Sequence, residues 1–430
     1  MFPSAHAQRS DALNGLFSGY GGPAFSLRFW DGWQWTSSTA ERPACTLIVR
    51  NEEALHTLIA EPNEVTLGEA FIHNDLDVEA DIFSVFSIGE YILKRPLSWR
   101  QRLVEAVART LVGAGERLRH GVRHSMRRDR ASIAYHYDQP IDFYRPWLGA
   151  TLVYSCAYFR DAEDSLDRAQ EQKLEHICRK LRLEPGESFL DIGCGWGSLL
   201  LHAARMHSAI ARGITLSKEQ AAVTRARIYE ARLADRCTVE LRDYRTLEGM
   251  GPAFDKIASV GMCEHVGIKN LPHYFRIARD LLNPGGVFLN HGIARAPLSP
   301  IRKSSFIDRY VFPDGKLVTL TETMQAAESQ GLEVRDVENL REHYKMTLRR
   351  WVEGLRTHHE QLLRHVSEET YRIWLLYMAG SSAAFDRGDI AVYQVLLRRY
   401  QEKRSVLPLT REDWYEPEGI RAEEMGTMAE

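Results

Sequence analysis

The run FLDIGCGWGSLLLHAA at residues 189–204 constrains this chain more than any other stretch. Residues 189–192 read as a short buried strand carrying an acid at Asp191. Gly193, Gly195 and Gly197 then form a loop, and a helix begins at once from Ser198. Glycines let the chain turn sharply and let a ligand touch backbone. Around this unit, strand-like segments (209–215, 238–242, 254–260, 286–291) alternate with helices starting at Ser198, Lys218 and Pro272. Such alternation implies an α/β fold, a parallel sheet with helices on both faces.

The loop also narrows the ligand. A dinucleotide fold favours G-x-G-x-x-G with an acid about 20 residues on. Here the spacing is G-x-G-x-G, with an acid two residues before the first glycine, and the second strand ends in GITLSKEQ, which has no acid. The loop resembles that of class I S-adenosylmethionine-dependent methyltransferases, whose catalytic domain is Rossmann-like. Tight strand–helix packing without a ligand is the bland alternative, but the whole strand–loop–helix context is present.

At 430 residues the chain exceeds the needs of one core, so two domains are expected. Residues 1–110 read as a smaller α+β domain: FSLRFWDGWQW alternates as strands do, with a turn at Asp31-Gly32, and helical patterns follow from Glu52. Residues 111–130 read as a basic linker and 131–430 as the catalytic domain. The wider stretch 94–130 holds 11 Lys and Arg against three acids. It reads either as a solvated linker or as a hinge attracting anionic lipid headgroups. The net charge, 55 minus 58 or -3, excludes nucleic-acid binding by bulk charge, and no aromatic interleaving marks the basic stretch as a nucleic-acid site. Six cysteines without a Cys-x-x-Cys pair read as free thiols in a reducing cytosol. There is no signal-peptide pattern and no apolar run long enough to span a bilayer, so a lipid substrate is expected to be met from the cytoplasmic side. The tail after Tyr415 is acidic and reads as frayed.

Further motifs follow in order: SIAYHYDQPIDFYRPWLGATLVYSCAYF, ASVGMCEHVG, NHGIA, YVFPDG and EHYKMTLRRW. With the glycine loop and GITLSKEQ, they resemble the cyclopropane-fatty-acid synthase family over residues 131–405. LGEAFIHNDLDVE is similar to the N-terminal lipid-associated domain of the long phospholipid enzymes of that family. The resemblance implies an enzyme that transfers a methylene from S-adenosylmethionine to the cis double bond of an unsaturated phospholipid acyl chain. It also implies a cytoplasmic protein peripheral to an anionic membrane surface, and a homodimer. For the cofactor, it places Tyr154 and Ser155 at the methionine part, and Asp191, Gly193 and Gly195 in the loop. Thr215 and Gln220 fall at the adenosine, and Asp243 and Tyr244 near the base. A bicarbonate ion is implied as general base, held by Cys156, Glu264, His291, Ile293 and Tyr344, with Cys156 and Ile293 acting through backbone.

The chemistry explains the residue types. An alkene attacking a sulfonium methyl leaves a carbocation, and a base must remove a proton before the ring closes. A small anion in an apolar pocket serves both needs but requires hydrogen-bond donors. His291 and Tyr344 are donors; Glu264 fits if protonated or if it accepts from the ion. Aromatic faces also stabilise cations, with Tyr137, Phe143, Tyr158, Tyr274 and Tyr310 as candidates. Taken singly, Cys156 reads as a buried small residue, Glu264 as a helix cap, His291 as a core histidine and Tyr344 as packing. The ordered set of motifs outweighs those readings. His265, His273 and His291 lack ligand spacing, so no metal site is expected.

The chain departs from the family pattern at YDQPIDF, with Pro140 where YDLGNDF is common, at His291-Gly292-Ile293 in place of HTI, and at FPDGKLVT. A glycine at 292 is expected to loosen the strand end. These changes bear on acyl specificity and admit a methyl-branched product. Transfer to a small amine, as in plant alkaloid N-methyltransferases of related sequence, is a second enzyme reading. A non-catalytic lipid-binding module is a third, which would need broken cofactor residues.

Overall fold

The computed structural model describes residues 5–39, 41–60, 63–94, 139–299, 306–312, 317–400 and 407–415. The basic linker, most of the basic stretch, Tyr137 and the acidic tail therefore lie outside the described residues.

Near the N-terminus, β1 (Phe25–Phe29), β2 (Gln34–Thr36), β3 (Cys45–Val49) and β4 (Leu76–Ala80) form a sheet of order β2-β1-β3-β4. The Asp31-Gly32 turn joins β1 to β2 as the sequence predicts: Gly32 has a φ of 81°, and the Asp31 carboxylate accepts from the Trp33 N–H at 3.0 Å. Alternate β1 and β3 residues face an aromatic core of Phe25, Phe29 and Trp35, closed by Phe17 from α1 (Ala5–Phe17). α2 (Glu52–Ala60), α3 (Glu64–Ile72) and α4 (Ser84–Leu93) complete this part. β4 pairs antiparallel with β3 because Leu76, Val78 and Ala80 fall opposite Val49, Leu47 and Cys45.

Residues 139–400 build a seven-stranded sheet. Its strands are β5 (Ser188–Ile192), β6 (Ile210–Thr215), β7 (Cys237–Leu241), β8 (Phe254–Val260), β9 (Leu282–Arg295), β10 (Leu332–Asn339) and β11 (Ile390–Arg399). The order is β10-β11-β9-β8-β5-β6-β7, parallel from β9 to β7 and antiparallel on both sides of β11. β5, fully interior, buries Phe189, Leu190 and Ile192, the near-continuous apolar run of a strand covered on both faces. α6 (Leu166–Leu181), α7 (Ser198–Met206), α8 (Lys218–Glu230) and α9 (Leu271–Leu281) cover the sheet. The short α5 (Ile141–Leu148) starts after Pro140, whose φ of −54° suits a helix entry.

A second helical layer carries the remaining site residues: α12 (Arg341–Thr357) packs against α14 (Glu368–Arg387) and α5. Ser367 caps the start of α14, and left-handed Gly388 ends it just before β11. α10 (Phe306–Tyr310), α11 (Leu320–Glu328) and α13 (His359–Leu362) fill connections. The two sheets are joined through α3 and α14. The buried Arg372 donates to the Phe71 carbonyl at 3.0 Å, covers the Phe71 ring and pairs with Asp77 at 3.4 Å. Gly68 leaves room for Phe306, which a Cβ would meet at 2.5 Å. No helix among the described residues is long and apolar enough to cross a membrane.

Candidate active site

A cleft opens where β5 and β6 end. Gly193, Gly195 and Gly197 all take positive φ, 83°, 54° and 83°, and the Gly193 and Cys194 amides donate to the Ile214 carbonyl. A Cβ at Gly195 would meet nothing within 4 Å, so that backbone faces open space, whereas one at Gly197 would strike Thr224 at 2.5 Å. The first is clearance for a ligand and the second is packing. The cleft holds about 1160 Å3, counting the part open to solvent, and Tyr154, Ser155, Asp191, Gly193, Gly195, Thr215, Gln220 and Tyr244 line it. That is room for a nucleoside-sized ligand. Thr215 donates to Gln220 Oε1 at 2.8 Å, so the polar end of β6 is an amide and a hydroxyl instead of an acid.

One cofactor assignment fares differently. Asp243 is buried behind the wall, with its oxygens held by Arg245 at 2.9 and 2.7 Å; Arg242, Tyr244 and Arg245 face the cleft instead. A carboxylate spent on a bidentate guanidinium has little left for a base.

A lysine that the sequence reading missed enters the same cleft. Lys173 is 2% exposed and its Nζ donates to Ser155 Oγ at 3.0 Å. Burial pulls its pKa down to about 8, against the Asp191 charge. Burial pushes Asp191 up to about 7, with the Lys173 charge acting the other way. The available signal was helical spacing: Lys173, Ile177 and Leu181 fall at i, i+4 and i+8 on the buried face of α6.

Next to the cleft lies the short turn Cys263–His265. Met262 and His265 face the cleft, while Glu264 points away from it, with Oε1 accepting from the Ile293 N–H at 2.7 Å. Burial pushes the Glu264 carboxyl up, the Ile293 hydrogen bond working against it. His291, 2% exposed, pairs in register with Gln394 on β11; the Gln394 amide nitrogen lies 3.2 Å from Nδ1. The amide donates, so Nε2 carries the ring proton, and this buried donor has no hydrogen-bond partner among the described residues. Burial, then the Lys173 and Lys180 charges, pull His291 down to about 3, so the ring is neutral near pH 7.

Cys156 and Tyr344 reach this region through one carbonyl. Leu340 O accepts from Cys156 Sγ at 3.7 Å and from the Tyr344 N–H at 3.1 Å. The Leu340 N–H in turn bonds to Val392, the cross-strand partner of Ile293. The structure thus gathers Cys156, Ile293 and Tyr344 in one apolar cluster and ties Glu264 to Ile293. The Ile293 N–H is already occupied by Glu264.

Aromatic placement corrects several expectations. Tyr158 is stacked between His176 and His343, Tyr274 bonds to Asn290 at 2.9 Å, and Tyr310 bonds to Glu69 at 2.7 Å. The rings around Tyr154 are instead Trp351 (5.2 Å), Trp147 (5.7 Å), Trp374 (5.8 Å) and Tyr144 (6.3 Å), with Phe143 one ring further out against Trp374. Tyr377 on α14 was also missed: its hydroxyl bonds to Tyr154 and Ser381 and is pushed up to about 12, mainly by burial, with the Glu264 charge contributing. Gly292 does not loosen β9, which stays paired with β11 to Arg295. A Cβ there would lie 2.2 Å from Cys263 Sγ, so the glycine makes room for that thiol.

The strand order, the glycine loop at the end of β5 and the cleft above it define a class I S-adenosylmethionine-dependent methyltransferase. The family model described as mycolic acid cyclopropane synthetase matches residues 124–395, and a model described as a domain of unknown function matches 12–89. A probable fatty acid methyltransferase of Pseudomonas putida is 40% identical over 90% of this chain and 95% of its own. The cyclopropane-fatty-acyl-phospholipid synthase of Escherichia coli is 36% identical over 61% of this chain and 66% of its own. The crystal structure of the mycolic acid cyclopropane synthase CmaA1 with SAH and CTAB superposes with a TM-score of 0.59 at 31% identity, over 63% of this chain and 98% of that one. The chain belongs to the mycolic acid cyclopropane synthetase family.

Proposed function

We propose that this enzyme adds a methylene from S-adenosylmethionine across the cis double bond of an unsaturated acyl chain in a membrane phospholipid, forming a cyclopropane ring. The observation that carries the reading is the glycine-loop cleft at the ends of β5 and β6, followed on β9 by a buried His291 Nε2–H with no partner among the described residues and, two residues on, the Ile293 N–H held by Glu264. A neutral donor and a carboxyl of raised pKa suit a small anion such as bicarbonate, which supplies a general base when bound. His291 would donate to it, Glu264 would hydrogen-bond it, and Cys156 and Tyr344 would wall it. Ile293 can join only if Glu264 gives up its N–H.

In the cleft, the loop backbone at Gly193 and Gly195, with Tyr154, Ser155, Thr215 and Gln220, would bind and orient the cofactor, whose sulfonium supplies the electrophilic methyl. Lys173 and Asp191 set the charge at its methionine end. Methyl transfer leaves positive charge on the acyl chain; the rings around Tyr154 offer their faces to it, and their bulk keeps water out. The basic stretch and the N-terminal sheet would hold the enzyme, as a homodimer, against an anionic bilayer on its cytoplasmic side.

A second reading is a methyl branch in place of the ring, favoured by the name of the Pseudomonas putida relative, a probable fatty acid methyltransferase. The deciding experiment expresses the chain in bacteria lacking their own synthase and analyses their lipids by mass spectrometry and proton NMR. A gain of one methylene with high-field cyclopropane signals is the expected result. The same gain without those signals supports the methyl branch. Unchanged lipids, with folded protein that binds the cofactor, would overturn both.

A further inference from the structure

Away from the active site, at the far end of α7, α6 and α7 bring together Glu175, Cys178, His202 and His207. One ligand atom each from Cys178, His202 and His207 lies within 4.8 Å of the others. Glu175 Oε2 stands 3.0 Å from both His202 Nε2 and His207 Nε2. Glu175 and Cys178 share a face of α6 at i, i+3, His202 comes from the last turns of α7, and His207 is the residue that ends it. The glycine loop lies at the opposite end of α7, so this cluster has no part in methyl transfer.

The proton arrangement around His207 is the informative detail. Its Nδ1 lies 3.2 Å from the Leu183 carbonyl, which can only accept, so Nδ1 carries a proton. A neutral ring then presents a lone pair at Nε2, facing the Glu175 carboxylate at 3.0 Å. Two acceptors that close need a positive centre between or beside them. A histidine whose second nitrogen is fixed by a backbone carbonyl, with its free nitrogen turned toward other donors, is also the usual setting of a metal ligand. Arg179 donates to the other carboxylate oxygen, Oε1, at 2.7 Å and leaves Oε2 to face the two imidazoles.

We infer that Cys178, His202 and His207, with the Glu175 carboxylate beside them as counter-charge, form a binding site for a divalent ion of the zinc class that pins α6 to the end of α7. One thiolate and two imidazoles match that class in softness. Bond lengths of about 2.0–2.3 Å require the ligand atoms to draw in by roughly an ångström, which side-chain rotation supplies. Binding replaces the Cys178 proton, released to solvent, with the metal, so charge balances without redox chemistry. The competing arrangement is a doubly protonated His207 in a plain ion pair with Glu175.

The full chain, stripped with a chelator under reducing conditions, is titrated with Co2+ as a visible probe and then with Zn2+. The expected result is one Co2+ per chain with four-coordinate d–d bands and a thiolate charge-transfer band, displaced by Zn2+, and a melting temperature higher with Zn2+ than without. Cys178→Ser abolishes the charge-transfer band, and His202→Gln weakens binding by at least about tenfold. Unaltered SAH binding in both variants shows that they are folded. Absence of the charge-transfer band in the parent, or a band of equal size in Cys178→Ser, overturns the inference and leaves the ion pair.

Discussion

The cofactor cleft and the group of Glu264, His291 and Ile293 are built in opposite ways. The cleft is made of backbone: glycines at positive φ, strand-end amides and an opening to solvent. The second group is made of side chains from β9, β11 and the turn itself, joined by the Glu264–Ile293 and Gln394–His291 hydrogen bonds. A backbone site binds a ligand that comes and goes, and its cost in folding is small. A side-chain site with an unanswered donor and a buried acid costs stability, and such strained polar burial persists where chemistry needs it.

The contrast breaks first at Glu264. Glu264→Gln keeps an acceptor for the Ile293 N–H but removes the acid; turnover on lipid vesicles should fall by about 10²–10⁴-fold while the cofactor dissociation constant, read by calorimetry, stays put. Parallel loss of cofactor affinity would mean that the two sites are one. Gly193→Val attacks the other side. Positive φ and a Cβ 3.2 Å from Met262 should weaken cofactor binding by about 5–30-fold, from a backbone cost of roughly 1–2 kcal/mol.

Asp191 sharpens the comparison through pH. Its ordinary value is near 3.8 and its folded value about 7. Between those limits the folded chain keeps a proton that the unfolded chain has released, so this group's stabilisation is full below about 3.8 and is lost as pH rises through about 7. Asp191→Asn removes that loss. The gap in melting temperature between variant and parent should therefore shift by a few degrees in the variant's favour from pH 5 to pH 8, and a constant gap would place the carboxylate in a wetter setting than the fold gives it. The smallest effect concerns the basic stretch: raising salt should weaken binding to anionic vesicles, seen by co-sedimentation, as screening shortens from about 10 Å at 0.1 M to about 3 Å at 1 M.

The same contrast governs what could be read from sequence. Asp191, Gly193 and Gly195 lie within five residues and act through local geometry, so strand, loop and helix were legible at once. The α/β alternation was legible too, but β10, β11 and the helices between them were not, because Asp336, Glu338 and Gln394 interrupt the apolar pattern of strands buried by tertiary packing. Cys156, Glu264, His291 and Tyr344 were singled out through family motifs alone, since nothing local joins positions 156, 264, 291 and 344. Lys173 and Tyr377 escaped because helix spacing gives a face but not what that face meets. Asp243 shows the converse: its motif position is legible in sequence, but the arginine two residues on that binds its oxygens is not. Gly292 became intelligible only with Cys263 beside it.

The join between the two sheets has a consequence for truncation. Arg372 is buried only because Phe71 and Asp77 cover it, and it stands five positions before Tyr377 on the same helix. A chain that shed the first ninety residues would expose a guanidinium and an apolar helix flank together. Residues 71, 77 and 372 thus act as one set, and through it the N-terminal sheet is tied into the helix that carries Tyr377.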